Sequence, residues 1–149
     1  MAVVKPIRAV RYDESVAGPL EQLVAPPYDV IDETEREELR VLSLNAKNVV
    51  QRVSHVYMGN VSASLVRVGE LFRDAVRLDA SGVVLVHNHP SGDPTPSPDD
   101  ARLTLRLAQA ADILDMPLLD HLIVGDAGRY FSFREAGTLT AQIADGVRA

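Results

Sequence analysis

Two histidines, a hydroxyl and several carboxylates crowd into His87-Asn88-His89-Pro90-Ser91-Gly92-Asp93-Pro94-Thr95-Pro96-Ser97-Pro98-Asp99-Asp100. His87 and His89 are two apart, so at a strand end both side chains fall on one face and can converge on one cation. The Pro- and Gly-rich loop that follows is a stiff reversal, and Asp100 falls in the first turn of the next helix. Two imidazoles and one carboxylate leave a fourth tetrahedral position for water, the pattern of a catalytic rather than a structural zinc site. Zinc in such a site polarises a carbonyl and lowers the pKa of water to about 7, which suits hydrolysis. Ser97 and Asp100 also have a plainer reading. A Ser N-cap, Pro98 at the first helical position and an acidic group in the first turn describe any well-capped helix start. Asp99 is the neighbouring alternative to Asp100. Asp93 could orient a ligand histidine or serve only its Ser-Gly-Asp-Pro turn.

The chain has 149 residues, 46% of them apolar, and no cysteine. That suits one domain with its own core and is too apolar for a disordered chain. Without cysteine there is no disulfide and no thiolate-held zinc, so any metal must sit on His and carboxylate ligands. A reducing, cytoplasmic location is expected. The first residues lack a signal-peptide apolar core, and no apolar run approaches the roughly 20 residues of a membrane span. A formal net charge of −6 weighs against nonspecific nucleic-acid binding, although Arg102 and Arg106 could form a local basic patch.

The elements that must position these groups are readable from periodicity. Pro6, Gly18, Pro19, Pro26 and Pro27 break residues 1–31 into extended segments and turns, with Ile7, Val10 and Tyr12 as packing residues. Asp32-Glu33-Thr34-Glu35 reads as a capping box opening a short helix through about Arg40. Leu39 to Leu44 carries apolar residues on both parities, as a buried strand does, and Asn45-Ala46-Lys47-Asn48 turns it into a second strand over Val49 to Met58. Val68, Leu71, Phe72, Ala75 and Val76 share a helical face, so a helix spans about Val68 to Asp79. Val83 to Val86 is a short central strand. A helix starting after Ser97 buries Leu103, Leu107, Ala110, Ala111 and Leu114. Leu118 to Val124 and Arg129 to Phe133 form a hairpin over Gly125-Asp126-Ala127-Gly128, and little signal follows Gly137. The order gives an α/β fold around one mixed sheet. His55 reads as a surface or packing residue. His121 reads as a hydrogen-bonded sheet histidine, with a role behind a metal ligand as its second reading.

His87-x-His89, seven residues, Ser97, two residues and Asp100 resembles the JAMM (MPN+) metalloprotease signature. His-Asn-His-Pro-Ser-Gly-Asp-Pro-Thr-Pro-Ser is similar to the RadC family within that group, as are Leu119-Asp120-His121, Tyr130-Phe131-Ser132-Phe133, Leu44-Asn45-Ala46-Lys47-Asn48 and Ala63-Ser64-Leu65-Val66. The resemblance covers about residues 37–137. Residues 1–36 form an atypical N-terminal segment, and 138–149 a tail. Instead of the helix-hairpin-helix-like region usual in RadC-like proteins, the first residues to about Arg40 are similar to the start of an unrelated, uncharacterised family.

The resemblance implies a JAMM/cytidine-deaminase-like three-layer architecture, with a mixed sheet sandwiched by helices. It implies a zinc-dependent metallopeptidase acting on an amide or isopeptide bond of a peptide or protein substrate. His87, His89 and Asp100 would hold Zn2+, with the motif count favouring Asp100 over Asp99. Ser97 would hydrogen-bond the developing oxyanion. The general base would be Glu37, seven residues before Leu44. Glu37 shares parity with Leu39 and Val41, while Glu35 and Glu38 are competitors in near register and a solvated charged face is the plainer reading. A catalytically silent metal-binding or protein-interaction domain, and a DNA-repair accessory role, are the alternatives. A homo-oligomer is left open; no membrane partner is expected.

Overall fold

The computed structural model describes residues 37–59 and 66–139. The extended segments expected over residues 1–31, with Ile7, Val10 and Tyr12, lie outside the described residues, as does Asp32-Glu33-Thr34-Glu35. The helix expected to run through Arg40 is corrected where it is described: Glu37–Leu44 is strand β1. The period-2 apolar pattern from Leu39 onward extends backward over Glu37 and Glu38, and pairing on both sides fixes it. Every residue of β1 from Glu38 to Leu44 is buried.

Asn45 stops β1. Its side-chain oxygen accepts from the backbone N–H groups of Lys47 (2.9 Å) and Val49 (3.1 Å), and Asn48 takes a left-handed φ of 60°. Strand β2, Val50–Gly59, then returns antiparallel to β1. Helix α1, Val68–Arg77, buries Leu71, Phe72 and Ala75. Val76, expected on that face, is 52% exposed. The chain passes into strand β3, Gly82–Asn88, which is buried throughout. Helix α2, Pro98–Ile113, buries Leu103, Leu107, Ala108 and Ala111. Leu114, expected in its stripe, is 41% exposed, because the helix stops at Ile113 and Asp115 turns the chain at φ 55°. Strands β4, Leu118–Val124, and β5, Tyr130–Ser132, close the hairpin over Gly125 to Gly128.

The sheet order is β2-β1-β3-β4-β5. β3 is the middle strand, antiparallel to β1 and parallel to β4, and β4–β5 is antiparallel, so the sheet is mixed. One core gathers Leu39 and Val41 of β1, Val83 and Leu85 of β3, Ile123 of β4, and the buried faces of both helices. The alternate residues Leu42, Leu44, Val84, Val86, Leu122 and Val124 are buried as well. Complete burial of such a side chain contributes on the order of 1.5–3 kcal/mol, so both faces of the sheet matter to stability. Leu139 also joins the core. The α/β class and mixed sheet are as expected. Among the described residues, no helix is long and apolar enough to cross a membrane.

Candidate metal centre

The parallel pairing of β3 and β4 needs a crossover, and the crossover is α2. The end of β3 and the start of α2 are therefore neighbours, with the loop from Pro90 to Ser97 between them. His87 leaves β3 on the same face as Leu39, its partner across the β1–β3 ladder, and is fully buried. His89 stands two residues on, mostly buried just past the end of β3, and its backbone N–H donates to the Val124 carbonyl at 2.9 Å. Gly92 tightens the loop at φ 85°, where its carbonyl accepts from the Asp126 N–H (2.9 Å) and the Arg129 guanidinium (2.8 Å). A Cβ on Gly125 would meet that carbonyl oxygen at 2.3 Å, so the loops after β3 and β4 touch backbone to backbone.

Ser97 caps α2 as expected. Its hydroxyl oxygen accepts from the Asp100 N–H at 3.1 Å, and the Ser97 N–H donates to Asp100 Oδ2 at 2.8 Å. This box turns the Asp100 carboxylate back toward the histidines. Asp100 Oδ1 lies 3.1 Å from His87 Nε2, Oδ2 lies 3.0 Å from His89 Nε2, and the two Nε2 atoms are 3.2 Å apart. The three residues offer one ligand atom each, all within 4.8 Å of one another. The capping role of Asp100 is therefore compatible with its place in a group that could hold a metal ion. Asp99 points elsewhere and pairs with Arg102, which offsets the basic patch suggested around Arg102 and Arg106.

Both far nitrogens are occupied. His89 Nδ1 donates to the Asp93 backbone carbonyl at 2.9 Å. Asp93 thus orients His89 through its main chain, while its carboxylate serves the turn by accepting from Thr95 N–H and O–H. His87 Nδ1 lies 2.7 Å from His121 Nε2, and His121 is fully buried. His121 is thus a hydrogen-bonded sheet histidine, as expected, and one of its partners is His87. His55, by contrast, is exposed on β2.

The electrostatics follow. Burial works against a charged Asp100, yet hydrogen bonds from His87 and His89 outweigh it and hold the carboxyl well below its usual range. The hydrogen bond to Asp100 raises the His89 pKa against its partial burial, helped by the Asp93 carbonyl and the charges of Asp100 and Glu37. Burial, then the neighbouring His87, pushes His121 well below the usual imidazole value, so it is neutral. Two imidazole nitrogens and a carboxylate converging on one point form a group that could hold a cation. A nitrogen and oxygen set without thiolate suits a borderline divalent ion.

Glu37 stands at the start of β1, half-buried. The ladder pairs Leu39 with His87, so the same register carried two residues further sets Glu37 beside His89. Its charge is one of those acting on His89. Asn88, between the two histidines, accepts from the Glu38 N–H at 2.6 Å and ties this strand end to β3. Sequence reasoning missed Asn88, whose signal was a polar residue inside His-x-His. Glu38, a competitor for the base, instead pairs with buried Arg40.

A mixed sheet with a His-x-His and Asp cluster at the end of its middle strand defines a JAB-type domain. More specifically, the RadC-like JAB domain matches residues 21–138, and the chain belongs to that family. It is similar to a UPF0758 protein of Roseiflexus castenholzii, 48% identical over 103 residues, covering 69% of this chain and 44% of the relative. A UPF0758 protein of Symbiobacterium thermophilum is 52% identical over 104 residues, covering 70% and 44%. The chain thus spans less than half the length of these curated relatives.

Proposed function

We propose that this domain is a zinc-dependent metallopeptidase that hydrolyses an amide or isopeptide bond in a peptide or protein. The observation that carries the reading is the convergence of His87 Nε2, His89 Nε2 and the Asp100 carboxylate, with both Nδ1 atoms held from behind. Zinc, when bound, supplies a Lewis acid that activates water and polarises the scissile carbonyl. Glu37 takes a proton from the attacking water as its oxygen bonds to the carbonyl carbon. It then delivers that proton to the amine nitrogen as the C–N bond breaks, leaving an acid and an amine. Its place at the start of β1, beside His89, supports that role. The Ser97 oxygen already accepts from the Asp100 N–H, so its own O–H is left to donate to the developing oxyanion. The absence of cysteine suits a reducing, cytoplasmic setting.

The test pairs zinc content with cleavage of a peptide library containing main-chain and lysine isopeptide bonds, read by mass spectrometry. Wild type should hold one zinc and cleave. Glu37→Gln should keep the zinc and lose roughly 100-fold or more in rate. A well-folded wild type that takes up no zinc overturns the metal reading. Cleavage unaffected by Glu37→Gln removes Glu37 as the base, and zinc uptake without cleavage leaves a silent metal-binding domain.

A further inference from the structure

Behind His87, on the side away from Asp100, two buried residues form a chain of hydrogen bonds with one allowed direction. Thr104 Oγ1 lies 2.8 Å from the Asp100 backbone carbonyl. A carbonyl only accepts, so the threonine O–H is spent there. Toward His121 Nδ1, in hydrogen-bond contact with the same oxygen, Thr104 can then only accept. His121 must carry its proton on Nδ1, and its Nε2 is a lone pair. That lone pair faces His87 Nδ1 at 2.7 Å, so His87 is the donor there, and Nε2 is the nitrogen turned toward Asp100, which in neutral His87 carries the lone pair.

We propose that Thr104 and His121 are positioning residues that fix His87 as the Nδ1–H tautomer and so aim its Nε2 lone pair into the metal site. The inference rests on the metal reading above for its consequence but not for its proton directions. It matters because a neutral histidine side chain in water prefers the opposite tautomer, with the proton on Nε2, which blocks metal binding there. Thr104, His121 and His87 are all fully buried, so bulk water has no access to replace a lost link. The ring of His121 is also held in plane. It stacks on Phe133, with centroids 4.8 Å apart and an interplanar angle of 11°, and its backbone N–H donates to Asp120 Oδ1 at 2.7 Å. The chain starts on the Asp100 carbonyl and ends at a nitrogen facing the Asp100 carboxylate, which makes it a closed ring through one residue.

The test reads tautomers directly by 15N–1H correlation of the histidine rings in the metal-free, full-length chain. It is done at about pH 8, above the ordinary imidazole pKa of about 6.5. Wild type should show Nδ1–H on both His87 and His121. His121→Leu should release His87 toward Nε2–H and weaken zinc binding, measured against a competing chelator, by roughly 10- to 100-fold. His121→Gln keeps an acceptor at the end of the side chain and should restore most of that affinity. Thr104→Val, nearly isosteric, should release the His121 tautomer and carries the test if the leucine variant does not fold. A wild-type His87 protonated on Nε2 and not on Nδ1 overturns the proposal, as does unchanged zinc affinity and tautomer in His121→Leu. If wild type binds no zinc, the metal reading fails while the spectrum still decides the proton directions.

Discussion

Ser97 and Asp100 exchange hydrogen bonds in both directions, N–H to Oδ2 at 2.8 Å and N–H to Oγ at 3.1 Å. The carboxylate that seals the start of α2 is therefore the one that faces His87 and His89. Helix initiation and the placement of a carboxylate beside both histidines share one group.

Ser97→Ala should separate these duties. The lost cap should cost about 1 kcal/mol in urea unfolding. Zinc affinity should change little, because the Ser97 backbone N–H still orients Asp100. Cleavage should fall roughly 100- to 1,000-fold if the hydroxyl stabilises an oxyanion. A rate within a few-fold of wild type would leave Ser97 as a cap alone.

The metal-free protein should show an acidic stability window. His89 has a raised pKa, so its contribution is complete below its unfolded value of about 6.5 and disappears as pH rises through the folded value. Asp100 is depressed, so its contribution is complete above its unfolded value of about 3.9 and disappears as pH falls through the folded value. Together they stabilise the chelator-treated protein most between about pH 4 and 6.5, with a decline toward pH 8. Urea midpoints across that range should show the decline, and Asp100→Asn should flatten it. Added zinc should reverse the trend, because metal and protons compete for the same atoms. Identical pH profiles for wild type and Asp100→Asn would rule the pair out as the cause.

Gly125→Ala should damage the site without touching a ligand. A Cβ there meets the Gly92 carbonyl oxygen at 2.3 Å and Pro94 at 2.8 Å, both in the loop that carries Asp93 and so orients His89. Separating the loops should cost about 1–3 kcal/mol and weaken zinc binding. The two losses should appear together in thermal melts with and without metal. Full zinc affinity in a stable variant would show that the loop contact is dispensable.

Asp120→Ala should unfold the protein more easily than a surface change does. The buried carboxylate accepts from the N–H groups of His121 (2.7 Å) and Arg134 (3.0 Å) and from the Ser132 hydroxyl. Burial raises its pKa, and these donors oppose that shift. Removing it orphans three donors at about 1–3 kcal/mol for each one left buried, so a loss of at least ~2 kcal/mol is expected in denaturant titration. A change below ~0.5 kcal/mol would mean that water reaches these groups.

Much of the architecture was legible because burial leaves periodic marks. Leu39 to Leu44, Val83 to Val86 and the Leu103–Leu107–Ala111 stripe each announce their element, and Ser97-Pro98 announces a helix start. Local charge misled at one place. Glu37 and Glu38 look helical beside Asp32 to Glu35, but pairing with β2 and β3 decided their conformation. Val76 and Leu114 looked buried because periodicity cannot say where a helix leaves its partner. The relay behind His87 was only half legible. His121 is separated from it by 34 positions, and nothing local says which nitrogen meets which. The available hint was Asp120-His121, two polar residues inside an otherwise apolar strand.

The order in which the chain delivers its parts separates two events. His87, His89, Asp100, Thr104 and His121 all come from the continuous β3–α2–β4 stretch, Gly82 to Val124. Glu37 arrives from β1, a strand outside that stretch that pairs antiparallel with β3. On the proposed reading, the group that would hold the metal is complete once one β–α–β unit has closed. On the same reading, hydrolysis also needs β1 docked against β3, a second event. If the proposed metal site and chemistry hold, a destabilised variant with its first strand detached should keep its metal while losing turnover, so that metal content and rate decay on separate schedules.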